Sequence, residues 1–355
     1  MIGTWQKLNL RSTLTNLESH RKKRALFRAD GDSIYGLGHV YRCLAIAERI
    51  SSEFECYFAI RCPSDELIAQ IIQYSKILLL NPRTNQFNEI EEDLLSIIED
   101  YSINIITLDG YDFNTNYQKK IKALSKCFLI SIDDYQPFHY VSDIVINHAG
   151  GVNSNMFSIE NYTKLFLGYD YLLLRKNFIN GGQKPNKKHA LESIMICFGG
   201  TDSENFTQKI SEYIKDLDYI KKIIIVIGPS YYNKSMLYYS LKTYSHIKIL
   251  ENLNGDELAN VMLDTDLAIV PSSTISLEAF ALNMNLITGM TDNNQISIYN
   301  GLKNENRVRT VDFASLNQVN LLQIISNIKT FGYTREVSKC RSTEDSILKI
   351  YQSIK

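Results

Sequence analysis

The chain has 355 residues, 45% hydrophobic and 22% charged, with a formal net charge of −1. That composition excludes wholesale disorder, and the near-zero charge gives no electrostatic basis for binding nucleic acid or an anionic membrane. The length exceeds what one core usually holds, so two domains are expected.

The N-terminal stretch MIGTWQKLNLRSTLTNLESHRKKR has no apolar core region and does not read as a secretory signal. Residues 1–22 read as a separate extension, one weakly attached helix. No run approaches the roughly 18 apolar residues of a membrane span, so a cytoplasmic protein is expected. Cys43, Cys56, Cys62, Cys127, Cys197 and Cys340 are scattered without a Cys-x-x-Cys pair. Neither a disulfide framework nor a zinc site is expected from them.

From residue 25 onward, short apolar β-rich runs alternate with helical patterns. Strands are predicted at Ala25–Asp30, Cys56–Ile60, Ile77–Leu80, Ile103–Asp109, Phe128–Asp133 and Asp143–Asn147. A second series follows at Ser193–Phe198, Lys222–Ile227, Ile247–Leu250, Leu267–Val270 and Leu286–Thr288. Amphipathic stretches such as Asn88–Asp100, Gln118–Ser125 and Glu204–Leu217 lie between them. Buried strands separated by helices of this length predict parallel α/β architecture, with each series a doubly wound unit. The polar stretch NFINGGQKPNKKHALE, Asn177–Glu192, has linker composition. The expected organisation is therefore an extension at 1–22, a first Rossmann-like domain at 23–178, a linker at 179–190 and a second such domain at 191–355. The last helix is expected to pack back on the first domain. Two such units would face each other across a cleft at the carboxyl ends of their strands, where ligands bind.

Three loops carry the chemistry. In FRADGDSIYGLGHVYRCLAIAERI, Gly36 and Gly38 allow positive φ and close approach of a ligand to main-chain N–H groups at a helix start. His39 follows directly. A helix N-terminus disfavours imidazolium, so a neutral His39 is expected, able to accept a proton beside a phosphate-activated sugar. The alternative is a histidine that merely hydrogen-bonds the helix start. The Asp30-Gly31-Asp32 spacing also permits a metal–diphosphate reading, which no further ligand spacing supports.

In ICFGGTDSENFTQKI, the strand ends at Phe198, Gly199 and Gly200 turn, and Asp202 or Ser203 caps the next helix. The geometry suits a phosphate; the alternative is an ordinary βα turn. In LAIVPSSTISLEAFALNMNLITGM, Ser272, Ser273 and Thr274 open a helix, and their hydroxyls with the helix amides make a diphosphate seat. Glu278, a turn later, could accept from two ribose hydroxyls or be a solvated helix residue. Asn294 and Gln295 follow the next strand.

In this order the pieces resemble the UDP-sugar hydrolases of pseudaminic acid biosynthesis, which cleave UDP-2,4-diacetamido-2,4,6-trideoxy-β-L-altropyranose. The resemblance rests on FRADGDSIYGLGHVYRCLAIA, ITLDGYDF, SIDDYQPFHYVSDIVIN, FLGYDYLLLRKNF, CFGGTD, SSTISLEA and DNNQ, from about residue 25 to about residue 300. It implies a glycosyltransferase-B-like fold whose second domain binds UDP. It further implies that His39 is the catalytic base, with Tyr111 in the sugar pocket. Arg28, Asp30, Gly36, Gly38, Arg42 and Gln295 would bind substrate, and Gly199, Gly200, Thr201, Ser273, Thr274 and Glu278 the nucleotide. No cofactor and no metal are implied, and the expected partner is the small-molecule UDP-sugar, acted on by a monomer. Where the family has a Gly-rich turn before the Ser-Thr helix, this chain reads Val270-Pro271-Ser272-Ser273.

The rival readings are a glycosyltransferase of the same fold and a nucleotide-sugar-binding module without catalysis. A dehydrogenase is disfavoured, because the first loop lacks a third glycine at the required spacing.

Overall fold

The computed structural model describes residues 22–31, 36–82, 91–181, 190–331 and 344–354. The extension, apart from Lys22, lies outside them, as do Asp32, Cys340 and most of the expected linker.

The first sheet contains β1 (Arg24–Arg28), β2 (Glu55–Arg61), β3 (Lys76–Leu80), β4 (Ile105–Asp109), β5 (Phe128–Ile132), β7 (Ile144–Asn147) and β9 (Lys164–Leu167). A small ladder pairs β6 (His139–Tyr140) with β8 (Ser158–Ile159). The second sheet contains β10 (Ser193–Ile196), β11 (Lys222–Ile227), β12 (Ile247–Glu251), β13 (Leu267–Pro271), β14 (Asn285–Gly289) and β15 (Val308–Thr310). The strand orders are β3-β2-β1-β4-β5-β7-β9 and β12-β11-β10-β13-β14-β15, parallel at every pairing. Both are doubly wound, with order reversing between β1 and β4 in one sheet and between β10 and β13 in the other.

Every strand expected from the sequence overlaps an observed one. The edge strands β9 and β15 were not expected: Lys164–Leu167 is never fully buried and Val308–Thr310 is only three residues long, so neither shows the continuous apolar run of a central strand.

Helices cover both faces of each sheet. The helix Gly38–Ile50 packs on one face of the first sheet through Val40, Cys43, Leu44, Ala47 and Ile50. The terminal helix Glu344–Gln352 joins the same core through Ile347, Ile350 and Tyr351. Tyr351 is fully buried, and its hydroxyl shares a 2.6 Å hydrogen bond with Thr107 Oγ1 on β4. Burying side chains of this size contributes about 1.5–3 kcal/mol each, which ties the chain's last helix to the first sheet. Conversely, Leu172, Leu174, Phe178 and Ile179 pack with Leu277 and Phe280 in the second sheet's core. Residues 179–181, the start of the expected linker, end the helix Lys176–Gly181. Among the described residues, no helix is long and apolar enough to cross a membrane.

Candidate active site

The first sheet's reversal point puts the C-terminal ends of β1 and β4 beside the start of the helix Gly38–Ile50. Gly36 takes φ +71°, the left-handed region that favours glycine. The helix then opens without a side-chain cap and without an acidic residue in its first turn. His39 and Arg42, three residues apart, share one face. Both reach Asp109 at the end of β4.

His39 Nδ1 lies 2.7 Å from Asp109 Oδ1. Arg42 donates to both Asp109 oxygens, Nε to Oδ2 at 2.9 Å and Nη2 to Oδ1 at 2.6 Å. Arg42 Nη2 also lies 2.7 Å from His39 Nδ1. A bare Nδ1 lone pair would be repelled by the carboxylate, so we assign the proton to Nδ1, with the histidine and the arginine both donating to Oδ1. That tautomer leaves the Nε2 lone pair available. Burial pushes the Asp109 carboxyl up, but Arg42 and His39 outweigh it and hold it below its ordinary value.

Tyr111 follows Asp109 by two residues, past Gly110 at φ +154°. Its ring meets His39 edge-on, centroids 4.9 Å apart. The hydroxyl donates to Asp134 Oδ2 at 3.3 Å and accepts from Asn294 Nδ2 at 2.7 Å. Burial, reinforced by Asp134, pushes the phenol well above its ordinary value, so it is a neutral donor at physiological pH. Arg42 Nη1 also binds Asp134 Oδ2, at 2.9 Å.

A narrow cleft opens here, lined by His39, Asp109, Tyr111 and Asp134 together with Phe113, Pro137, Phe138 and Tyr140. Asp133 also lines it. Asp133 accepts from the Tyr135 and Gln136 amides, Gln136 Nε2, Tyr140 Oη and Asn147 Nδ2, so it organises the wall.

Arg28 and Asp30 pair with each other. Fully buried Arg28 forks onto both Asp30 oxygens at 2.6 Å, and Asp30 also takes the Arg61 amide at 2.9 Å. The Arg28 guanidinium sits 5.6 Å from the Phe113 ring centroid. The pair thus stands behind the pocket wall, with both Asp30 oxygens engaged.

Across the cleft, Ser272 is buried and bonded to Thr288 Oγ1, while Ser273 starts the helix Thr274–Ala281 without a side-chain cap and with no acid in its first turn. This start faces the other one: a Cβ placed on Gly38 would meet Thr274 Oγ1 at 3.9 Å. Two helix N-termini with no side-chain cap from their own N-cap residues, each worth about half a positive charge, therefore converge from different sheets.

The Gly199-Gly200 turn is exposed, with Gly199 at φ +82°, and half-buried Thr201 follows it. Space for a Cβ is open at both glycines. The helix after it is already capped by Asp202, which accepts from Phe206 N at 2.9 Å and Thr207 N at 2.7 Å. Its first amides are thus occupied from within the chain. Glu278 is buried and receives Arg175 Nη2 at 3.0 Å; burial pushes its carboxyl above the ordinary value and Arg175 opposes that.

Gln295 is turned away from Tyr111. Its amide closes its own loop on Thr291, accepting from the backbone N–H and donating to Oγ1, each at 2.9 Å. The neighbouring Asn294 makes the cross-cleft bond instead. Asp109, Asp134 and Asn294 complete the cluster around His39; the sequence offered Asn294 beside Gln295, whereas Asp109 and Asp134 were not among the expected site residues. Asp109 had a readable signal, a carboxylate ending a buried parallel strand; Asp134 and Asn294 sit in loops whose direction only packing sets.

No protein-family profile matches the chain. An uncharacterised protein of Methanocaldococcus jannaschii is 30% identical over 268 residues, covering 73% of this chain; the chain spans about half of that protein, 54%. The UDP-2,4-diacetamido-2,4,6-trideoxy-beta-L-altropyranose hydrolase of Campylobacter jejuni is 24% identical over 266 residues, covering 74% of this chain and 89% of that protein. Among solved structures, MurG of Acinetobacter baumannii superposes with a TM-score of 0.64 at 12% identity, covering 94% of this chain and 99% of that one. The fold is therefore glycosyltransferase-B-like, two doubly wound Rossmann-like units facing a cleft, in a chain distantly related to a UDP-sugar hydrolase.

Proposed function

We propose that this protein hydrolyses a UDP-linked 2,4-diacetamido-2,4,6-trideoxyhexose to the free sugar and UDP, a step of nonulosonic (pseudaminic) acid biosynthesis. The observation that carries the reading is the His39–Asp109 pair, standing beside two facing helix starts and lining a cleft with Tyr111 and Phe113. The sequence relationship to the Campylobacter hydrolase supports the substrate class.

In this reading the diphosphate lies between the Gly38 and Thr274 helix starts and Glu278 holds the ribose. The sugar fills the pocket, its apolar substituents against Phe113, Pro137 and Phe138. Water attacks the anomeric carbon on the face opposite the diphosphate, the anomeric C–O bond breaks, and its electron pair leaves on UDP. His39 Nε2 takes the water proton while Asp109 holds the ring and stabilises the imidazolium that forms. The helix starts take up the charge on the departing diphosphate, so no divalent cation enters the scheme. Inversion at the anomeric carbon follows.

The test is UDP release from UDP-2,4-diacetamido-2,4,6-trideoxy-β-L-altropyranose without acceptor and with EDTA. Equal amounts of UDP and free sugar are expected. UDP binding with turnover only on adding an acceptor would replace this reading with a glycosyltransferase on the same fold.

A further inference from the structure

Arg175 occupies a position between the two halves that the chemistry above does not use. The segment that carries it is bolted to the helix bearing His39: Arg49 Nη2 donates to the Leu174 carbonyl at 2.5 Å, and Glu48 Oε2 accepts from the Lys176 amide at 3.0 Å. Its guanidinium lies over Tyr41, 4.8 Å from the ring centroid, and over Phe178 at 5.0 Å. Tyr41 sits between His39 and Arg42 on that helix. The other end of the side chain belongs to the second half. Nη2 holds Glu278 Oε1 at 3.0 Å, with the two side chains 17% and 7% exposed. Gly255, which opens the helix after β12, admits the guanidinium because it has no side chain; a Cβ there would overlap Arg175 Nη1. Arg175 Nε is buried and makes no hydrogen bond among the described residues.

A surface ion pair would need none of this. Two aromatic rings, a bare glycine and two backbone anchors fix one rotamer of a long side chain, and that rotamer aims one N–H at one carboxylate oxygen. We infer that Arg175 is a positioning residue for nucleotide recognition: it sets the direction of the Glu278 carboxylate and locks that direction to the helix that carries His39. This rests on the proposed binding of UDP, with Glu278 on the ribose hydroxyls. A guanidinium suits the task because its planar fork stacks and donates at once, whereas an ammonium does neither as well.

Isothermal titration of the full chain with UDP and with 2′,3′-dideoxy-UDP separates orientation from mere structural support. Wild type is expected to prefer UDP by at least about tenfold, since a site built to hydrogen-bond hydroxyls rejects the ligand lacking them. Arg175→Lys and Arg175→Met are both expected to bring that preference below about threefold while binding of the dideoxy ligand changes little. Measuring both keeps the test open should Arg175→Met fail to fold. A preference retained in the folded variants, or equal weakening of both ligands, overturns the inference and leaves Arg175 a structural clamp. Failure of wild type to bind UDP at all overturns the UDP reading and this inference with it.

Discussion

Asn294 donates through Nδ2 to the Tyr111 hydroxyl at 2.7 Å, joining a loop that follows β14 of the second sheet to the residue beside His39 in the first. The hydroxyl passes its own proton toward Asp134, which also holds Arg42. A continuous set of hydrogen bonds therefore runs from the second half to Asp109. Asn294→Ala should lower kcat about 10-fold or more while leaving the thermal midpoint nearly unchanged, because one half-exposed bond contributes only about 0.5–1.5 kcal/mol to stability. Steady-state kinetics beside a melting curve tests this; Gln295→Ala, confined to its own loop, should leave kcat within about twofold.

His39 and Asp109 should separate by what they do to the reaction. His39→Ala is expected to lower turnover by about 10²–10⁴-fold with UDP affinity kept, as for loss of a general base. Asp109→Asn should lower turnover as well, since the amide no longer anchors the Nδ1–H tautomer and leaves Arg42 a neutral partner. A kcat unchanged by His39→Ala would remove the base from the mechanism.

The two facing helix starts predict a split between glycines. Among the described residues Gly38→Ala meets only Thr274 Oγ1, at 3.9 Å, so folding should tolerate it. The added methyl does, however, narrow the space between the helix starts. UDP should bind at least about 10-fold more weakly while uridine binding is unchanged. In Gly151→Ala the methyl would overlap the Ser297 carbonyl oxygen, a backbone atom of the other half. That substitution should cost stability, about 1–3 kcal/mol by overpacking, read by urea unfolding.

Asp202→Ala offers a control on the neighbouring turn. Its carboxylate caps two helix amides, so its loss should cost about 0.5–2 kcal/mol without changing which ligands bind. A selective loss of UDP affinity in that variant would make Asp202 part of the nucleotide site.

His148 predicts an acid limb. The ring is fully buried and accepts the Leu173 amide at 3.3 Å, and burial, with Arg42 adding to it, pulls its pKa down to about 3. Unfolded, it titrates near the ordinary histidine value of about 6.5. Between these values the unfolded chain binds a proton that the folded one refuses. Stability is therefore full above pH 6.5 and falls as pH drops from 6.5 toward 3, by at most roughly 4 kcal/mol. His148→Asn should flatten that part of the curve, as measured by denaturant unfolding at pH 4, 5 and 7.

The sequence by itself determined the architecture and the opening loop. Continuous apolar runs such as Leu26–Phe27 and Ile223–Ile227 are what strands buried on both faces require, and Gly36-Leu37-Gly38-His39 places a histidine on the first turn of a helix wherever that helix goes. These are local facts, set by periodicity and backbone freedom. Tertiary structure alone decided what His39 meets. Asp109 is 70 residues away and Asn294 is 183 residues from Tyr111, and only the strand order and the meeting of the two halves bring them within hydrogen-bond reach. The same holds for Asn294 over Gln295: both lie in one short loop, and the backbone turn at Asp292–Gln295 decides which amide closes the loop and which crosses the cleft. Glu278 likewise read as either a solvated or a ribose-binding helix residue, and packing removes the first alternative by burying it against Arg175. Side-chain direction between distant segments depends on how whole sheets pack, and no local pattern encodes it.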